Sequence, residues 1–117
     1  MKCYIYSKCS TCRDALKWLV ANKITVEKAQ IRETPPCNAE LTYALEKLGD
    51  VRKLLNTSSQ DYRDLGLKEK VAAMTADEIF ALIQENGNLC KRPFLIDQKR
   101  GIVLRGFNVD EWQTVLA

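Results

Sequence analysis

The sequence predicts an α/β fold, a four-stranded mixed sheet with helices on both faces. Three observations carry that reading. The pattern opens strand, helix, strand over residues 3–31. It closes strand, strand, helix over 92–117. Between them, residues 34–87 show helical periodicity throughout.

The first element, "CYIYS" at 3–7, is rich in aromatic and β-branched residues and reads as a strand. Residues 10–23 read as a helix, because Cys12, Ala15, Leu16, Leu19 and Val20 recur at i, i+3, i+4, i+7 and i+8. Residues 24–31, "ITVEKAQI", form a second strand. A strand, helix and strand in so short a span make a βαβ unit with parallel strands and a right-handed crossover.

Two prolines stop that strand at 35 and 36. Asn38 is placed as the N-cap of the next helix. Its apolar stripe is Leu41, Ala44, Leu45 and Leu48, and Gly49 fits its C-terminal end. Short helical pieces follow at 50–56 and 60–66, the second ended by Gly66. Residues 75–87 open with a capping box, Thr75 to Glu78, and close with Asn86-Gly87. The runs 92–97 and 101–106 are joined by a tight turn and predict an antiparallel hairpin. In the last helix, 108–117, Asn108 and Glu111 cap the start, and Val109, Trp112, Val115 and Leu116 form the stripe.

This is the thioredoxin order with helices inserted in the middle. It predicts one domain over 1–117, with a helical insert at about 34–87. Chemistry is expected where the first strand runs into the first helix, at the carboxyl end of a parallel strand.

Composition narrows the function. The chain has 117 residues, 46% of them apolar, enough for one packed core. Its apolar runs are far shorter than the ~20 residues that span a bilayer. Its start lacks the apolar segment of a signal peptide. The expectation is a cytoplasmic protein that works away from membranes, in a compartment that keeps most thiols reduced. A net charge of +3 suits an anionic ligand without demanding nucleic acid, and no direct nucleic-acid contact is expected. There is no histidine. That excludes Cys–His and Ser–His–Asp nucleophiles and zinc sites built on imidazole. A four-cysteine zinc site needs a second cysteine pair, which is missing, so no metal is expected. Cys3, Cys37 and Cys90 stand alone and read as small apolar or incidental residues.

Cys9 and Cys12 are different, because "YSKCSTCR" places them C-x-x-C at a strand-to-helix junction. Cys9 lies just ahead of the helix, where unpaired N–H groups and a partial positive charge favour a thiolate. Lys8 and Arg13 add positive charge nearby. Cys12 lies in the first turn, on the core-facing side, from which it can attack a mixed disulfide at Cys9. Two ordinary thiols remain the alternative. "RPF" adds Pro93 at a strand start, where a proline withholds a ladder hydrogen bond. In a thioredoxin-type sheet such a proline faces the C-x-x-C loop. The plainer reading is a trans, strand-initiating residue.

Taken together, "YSKCSTCRDALKWL", "TPP", "DYRDLGLKEK", "CKRPFLID" and "GFNVDEW" resemble the arsenate reductase (ArsC)/Spx family, in the same order and over essentially the whole chain. The middle region looks closest to uncharacterised arsenate-reductase-like relatives. The resemblance implies a thioredoxin-like domain with a helical insertion. It implies an oxidoreductase in which Cys9 is the nucleophile and Cys12 the resolving thiol of a redox disulfide. It further implies an anion-binding set of Arg13, Arg92, Pro93 and Arg105, and a cis Arg92–Pro93 bond opposite the Cys9 loop. No bound cofactor is expected; glutathione, a glutaredoxin or a thioredoxin would donate electrons. The partner is then a thiol reductant or a redox protein, and the molecule a monomer. The Spx branch implies an alternative, a redox-sensing transcription regulator that binds the C-terminal domain of the RNA polymerase α subunit. The chain departs from the arsenate reductases in carrying Cys12 where they have serine, Ile5 where they have histidine, and Asn56 where they have an arginine.

Overall fold

A computed structural model describes residues 1–117. Strand β1 (Lys2–Ile5) and strand β2 (Glu27–Gln30) run parallel, joined by helix α1 (Ser10–Ala21). Strand β3 (Phe94–Asp97) lies antiparallel on the other side of β1, and strand β4 (Ile102–Arg105) antiparallel beyond it. The order across the sheet is β2-β1-β3-β4. Helices α2 (Asn38–Leu48), α3 (Gln60–Asp64), α4 (Leu67–Lys70) and α5 (Ala76–Glu85) lie between β2 and β3 in the chain, and α6 (Val109–Leu116) closes it. This is the thioredoxin-like arrangement that the order of elements predicts.

Strand alternation divides the core in two. Tyr4, Phe94 and Ile96 meet the inserted helices through Leu41, Ala44, Ile79, Phe80 and Ile83. Cys3, Ile5, Leu95, Ile102 and Leu104 meet α1 and α6 through Cys12, Ala15, Leu19, Trp112 and Leu116. Trp112 is fully buried, and its indole N–H donates to the Gly106 carbonyl at 3.1 Å. That bond satisfies the one polar atom of a large apolar side chain.

Several expectations change. Val20 is 78% exposed. At about 100° per residue it stands roughly 110° from the centre of the buried Cys12–Ala15–Leu19 stripe, outside the contact. Val109 and Val115 are also exposed, because eight-residue α6 packs through Trp112 and Leu116. The second strand pairs only over Glu27–Gln30, since the register starts at Lys2↔Glu27 and β1 offers four residues. The cap of α2 is Cys37, not Asn38. Glu40 Oε1 accepts the Cys37 N–H at 3.1 Å and the Tyr4 hydroxyl at 2.6 Å. The sheet thus anchors the carboxylate that starts the helix one residue early. Thr75–Glu78 and Asn108–Glu111 cap α5 and α6 as predicted.

Gly87 differs from a helix-ending glycine. A Cβ there would lie 1.8 Å from the Ile31 carbonyl oxygen and 3.1 Å from the Arg32 Cα. Glycine is required by close backbone approach rather than by a left-handed turn. The contact presses the segment after α5 onto the end of β2.

Candidate functional site

Everything of chemical interest gathers at one end of the sheet. The register pairs Ile5 with Gln30, Tyr4 with Phe94, and Phe94 with Arg105. The chain therefore leaves β1 through Tyr6, leaves β2 towards Arg32, enters β3 through Arg92–Pro93 and leaves β4 at Arg105, all at the same edge. This is the carboxyl end of the parallel pair.

The Cys9 loop is built locally. The Cys9 N–H bonds the Tyr6 carbonyl at 3.0 Å, which turns the chain out of β1. Cys9 is the extended N-cap residue of α1, and its carbonyl accepts the Arg13 N–H at 3.1 Å. Cys9 therefore sits at the positive end of α1, and its sulfur makes no capping hydrogen bond there. Partial burial pushes the Cys9 thiol up. The nearby backbone N–H and thiol of Cys12 and the charge of Arg92 outweigh that push and hold Cys9 below the usual thiol range. Cys12 is 1% exposed. Burial pushes its thiol up to about 12, against the Tyr6 N–H, which donates to Cys12 Sγ at 3.5 Å. The two thiols are thus pushed in opposite directions, Cys9 down and Cys12 up. Both are free thiols here.

Arg92 ties this loop to a cavity. Its charge lowers the Cys9 pKa, and it donates to Asn88 Oδ1 at 3.1 Å and stacks over the Tyr6 ring at 4.9 Å. The cavity has a volume of about 220 Å³ and is lined by Tyr6, Arg32, Ser59, Gln60, Asp61, Asn88 and Arg92. Arg32 stacks on the same Tyr6 ring at 5.0 Å and donates to its hydroxyl at 2.9 Å. Asp61 Oδ2 accepts from the Asn86 and Asn88 amides at 2.7 and 3.2 Å. Those two hydrogen bonds hold its carboxyl below the ordinary carboxylate range.

The other predicted residues fall as follows. Arg92–Pro93 is cis, and Pro93 is buried between Arg92 and β3. The Pro93 carbonyl accepts the Gly106 N–H at 2.8 Å. Arg105 is half-buried at the end of β4 and does not line the cavity. Arg13 is exposed, and its guanidinium turns back to the Ser7 carbonyl at 3.5 Å. It is neither on the Cys9 sulfur nor in the cavity. Cys3 and Cys90 are buried core thiols, pushed by burial up to about 12, whereas Cys37 is exposed.

Sequence reasoning missed Tyr6, Arg32, Asp61 and Asn88. A signal existed for two of them. Tyr6 and Arg32 directly follow the two parallel strands, the place where α/β sheets hold ligands. Asp61 and Asn88 come from the insert and the segment after it, and no sequence rule brings them to that edge.

Comparison with known proteins places the chain in a family. Residues 4–115 match the model of the ArsC family. The chain is 41% identical over 111 residues to the uncharacterised protein YusI of Bacillus subtilis, covering 94% of this chain and 92% of that one. It is 30% identical over 109 residues to the global transcriptional regulator Spx of Listeria innocua, covering 92% of this chain and 80% of that one. Among solved structures, a possible arsenate reductase from Streptococcus mutans superposes with a TM-score of 0.85 at 34% identity, covering 96% of each chain. From its first strand to its last helix, with the cysteine loop between them, the chain belongs to the ArsC family.

Proposed function

We propose that this protein is a thiol-dependent oxidoreductase in which Cys9 attacks and Cys12 resolves. One observation carries the reading: Cys9 is the N-cap of α1 and Cys12 lies buried in its first turn, so the two thiols share one helix start beside Arg92, with Cys9 held below the usual thiol range and Cys12 above it. The Cys9 thiolate attacks one sulfur of a disulfide R–S–S–R. That S–S bond breaks, Cys9–S–S–R forms, and the other half leaves as a thiolate that takes a proton from solvent. Cys12 then loses its proton and attacks the Cys9 sulfur. R–S⁻ leaves and is protonated, and a Cys9–Cys12 disulfide remains. The substrate gains the two electrons that the protein loses. A thiol reductant or redox partner, such as glutathione, a glutaredoxin or a thioredoxin, then restores the pair.

The test is a Cys12→Ser variant, which keeps the attacking thiol and removes the resolving one. It should hold its natural partner as a mixed disulfide at Cys9, released by dithiothreitol. Capture through Cys3, Cys37 or Cys90 instead would refute the assignment. Arsenate turnover with glutathione and glutaredoxin should remain weak, since Asn56 stands where the arsenate reductases carry an arginine. A charge-assisted contact to an oxyanion is worth ~1.5–3 kcal/mol, roughly ten- to a hundredfold. A coupled NADPH assay reads this directly.

The identity with Spx supports a second reading, a redox-controlled regulator that docks on the C-terminal domain of the RNA polymerase α subunit. Gly49, in the region loosely matching the regulator's docking segment, is exposed, with nothing within 4 Å of an added Cβ. Calorimetry of the oxidised protein with that domain separates the readings. Micromolar binding abolished by Gly49→Arg, with the Cys9–Cys12 couple intact, would favour the regulator.

A further inference from the structure

The cavity lined by Arg92 carries two further charges, Arg32 and Asp61, that thiol exchange itself does not use. Arg32 and Arg92 both stack on Tyr6, at 5.0 and 4.9 Å. Two guanidiniums on one ring repel each other unless an anion joins them. No carboxylate lies within ion-pair distance of either: the molecule's one ion pair is Arg52–Asp50, at 3.3 Å. Asp61 lines the same cavity, takes its hydrogen bonds from amides, and faces both guanidiniums at longer range. Asn88 touches both Arg92 and Asp61, so the carboxylate stands one side chain away from the guanidinium.

A ligand matching this wall carries a negative and a positive group close together. An inorganic oxyanion meets the two guanidiniums but is opposed by Asp61. A plain amine meets Asp61 but is opposed by the arginines. An α-amino-acid head meets both, with its carboxylate on Arg32 and Arg92 and its ammonium on Asp61. A space of about 220 Å³ holds such a head and its side chain. Tyr6, which lines this space, also holds the cysteine loop: its carbonyl accepts the Cys9 N–H at 3.0 Å and its N–H donates to Cys12 Sγ at 3.5 Å.

We propose that the cavity binds the amino-acid head of a small disulfide and presents its sulfur to Cys9, so that the substrates are low-molecular-weight disulfides of amino acids, of which L-cystine is the simplest. This rests on the thiol-oxidoreductase reading and names the substrate class of that site. Atoms and electrons balance as above: one cystine and two protein thiols give two cysteines and the Cys9–Cys12 disulfide.

The experiment follows oxidation of the reduced full-length protein by four disulfides. L-cystine has both charges, cystamine only the ammonium groups, and 3,3′-dithiodipropionate only the carboxylates. Bis(2-hydroxyethyl) disulfide has neither charge. Each rate is divided by that of the same protein unfolded in urea, which removes differences in intrinsic reactivity. L-cystine should exceed each of the others by about tenfold or more, the worth of a charge-assisted contact. Asp61→Asn should lower the cystine-to-dithiodipropionate ratio, and Arg32→Gln the cystine-to-cystamine ratio. Equal normalised rates for cystine and either single-charge analogue, or ratios unmoved in both variants, would overturn the proposal. If bis(2-hydroxyethyl) disulfide forms the Cys9–Cys12 bond as readily as cystine, the cavity assignment fails and the thiol reading stands. If none of the four forms that bond, both fail.

Discussion

Arg92 is the residue on which the site turns. It contributes to the stabilised Cys9 thiolate, holds Asn88, and stacks on the ring that carries Arg32. Removing its charge while keeping length and polarity, as in Arg92→Gln, withdraws one of the groups that lower the Cys9 pKa. The pH midpoint of Cys9 alkylation by iodoacetamide should therefore move up, and its rate at neutral pH should fall several-fold. In the unaltered protein Cys9 should label well before Cys12, which is buried and keeps its proton. Exposed Cys37 labels at its own rate, so peptide mapping at each time point is the measurement. Cys12 labelled ahead of Cys9 would reverse the assigned roles.

At the scale of elements, Gly87 joins the two halves of the cavity. Arg32 comes from the end of β2, and Asn88 and Arg92 from the segment between α5 and β3. Gly87 seats that segment directly on the Ile31–Arg32 backbone. A Cβ there meets backbone rather than a flexible side chain, so relief requires the two segments to separate. Overpacking of this kind costs typically ~1–3 kcal/mol. Gly87→Ala should lower unfolding free energy by about that amount in urea titration. It should also weaken cystine selectivity, because Arg32 moves away from Asn88. Gly49→Ala is the useful contrast. Its φ of +81° demands glycine, but an added Cβ meets nothing within 4 Å. The cost there is left-handed strain alone, roughly 1 kcal/mol, and the cavity is untouched.

Across the whole molecule, each of the two cores contains a protonated thiol. Cys90 belongs to the core under the inserted helices, and Cys3 to the core under α1 and α6. Burial pushes both up to about 12 from an ordinary 9.0. A thiol whose folded pKa is raised contributes stability that is complete below its unfolded pKa. That contribution is lost as pH rises towards the folded value, since the unfolded chain releases the proton first. Stability of the reduced protein should therefore fall between about pH 9 and 12. Each of these two thiols approaches a slope of about 1.4 kcal/mol per pH unit. Denaturant melts across that range, compared with a Cys3→Ala, Cys90→Ala double variant, measure it. A double variant with an unchanged slope would assign the loss to other groups.

The sequence alone determined the order of elements, the mixed sheet and the place of the C-x-x-C pair at the start of a helix. These depend on local periodicity, caps and turn residues, which act over a few positions: the Cys12–Ala15–Leu19 stripe, the Thr75–Glu78 and Asn108–Glu111 caps, and Cys9 ahead of a helix. The cis bond at Arg92–Pro93 was legible only through resemblance, because local preference favours trans. Tertiary structure decided which predicted stripe residues were buried and which cationic residues reached the site. Val20 fits the helical pattern, yet the helix turns it to solvent. Arg13 directly follows Cys12 in the chain, yet its side chain folds back on Ser7. Arg32 arrives instead from the end of another strand and shares the Tyr6 ring with Arg92. Periodicity states which positions share a helix face; which neighbour covers that face depends on how elements distant in sequence pack together.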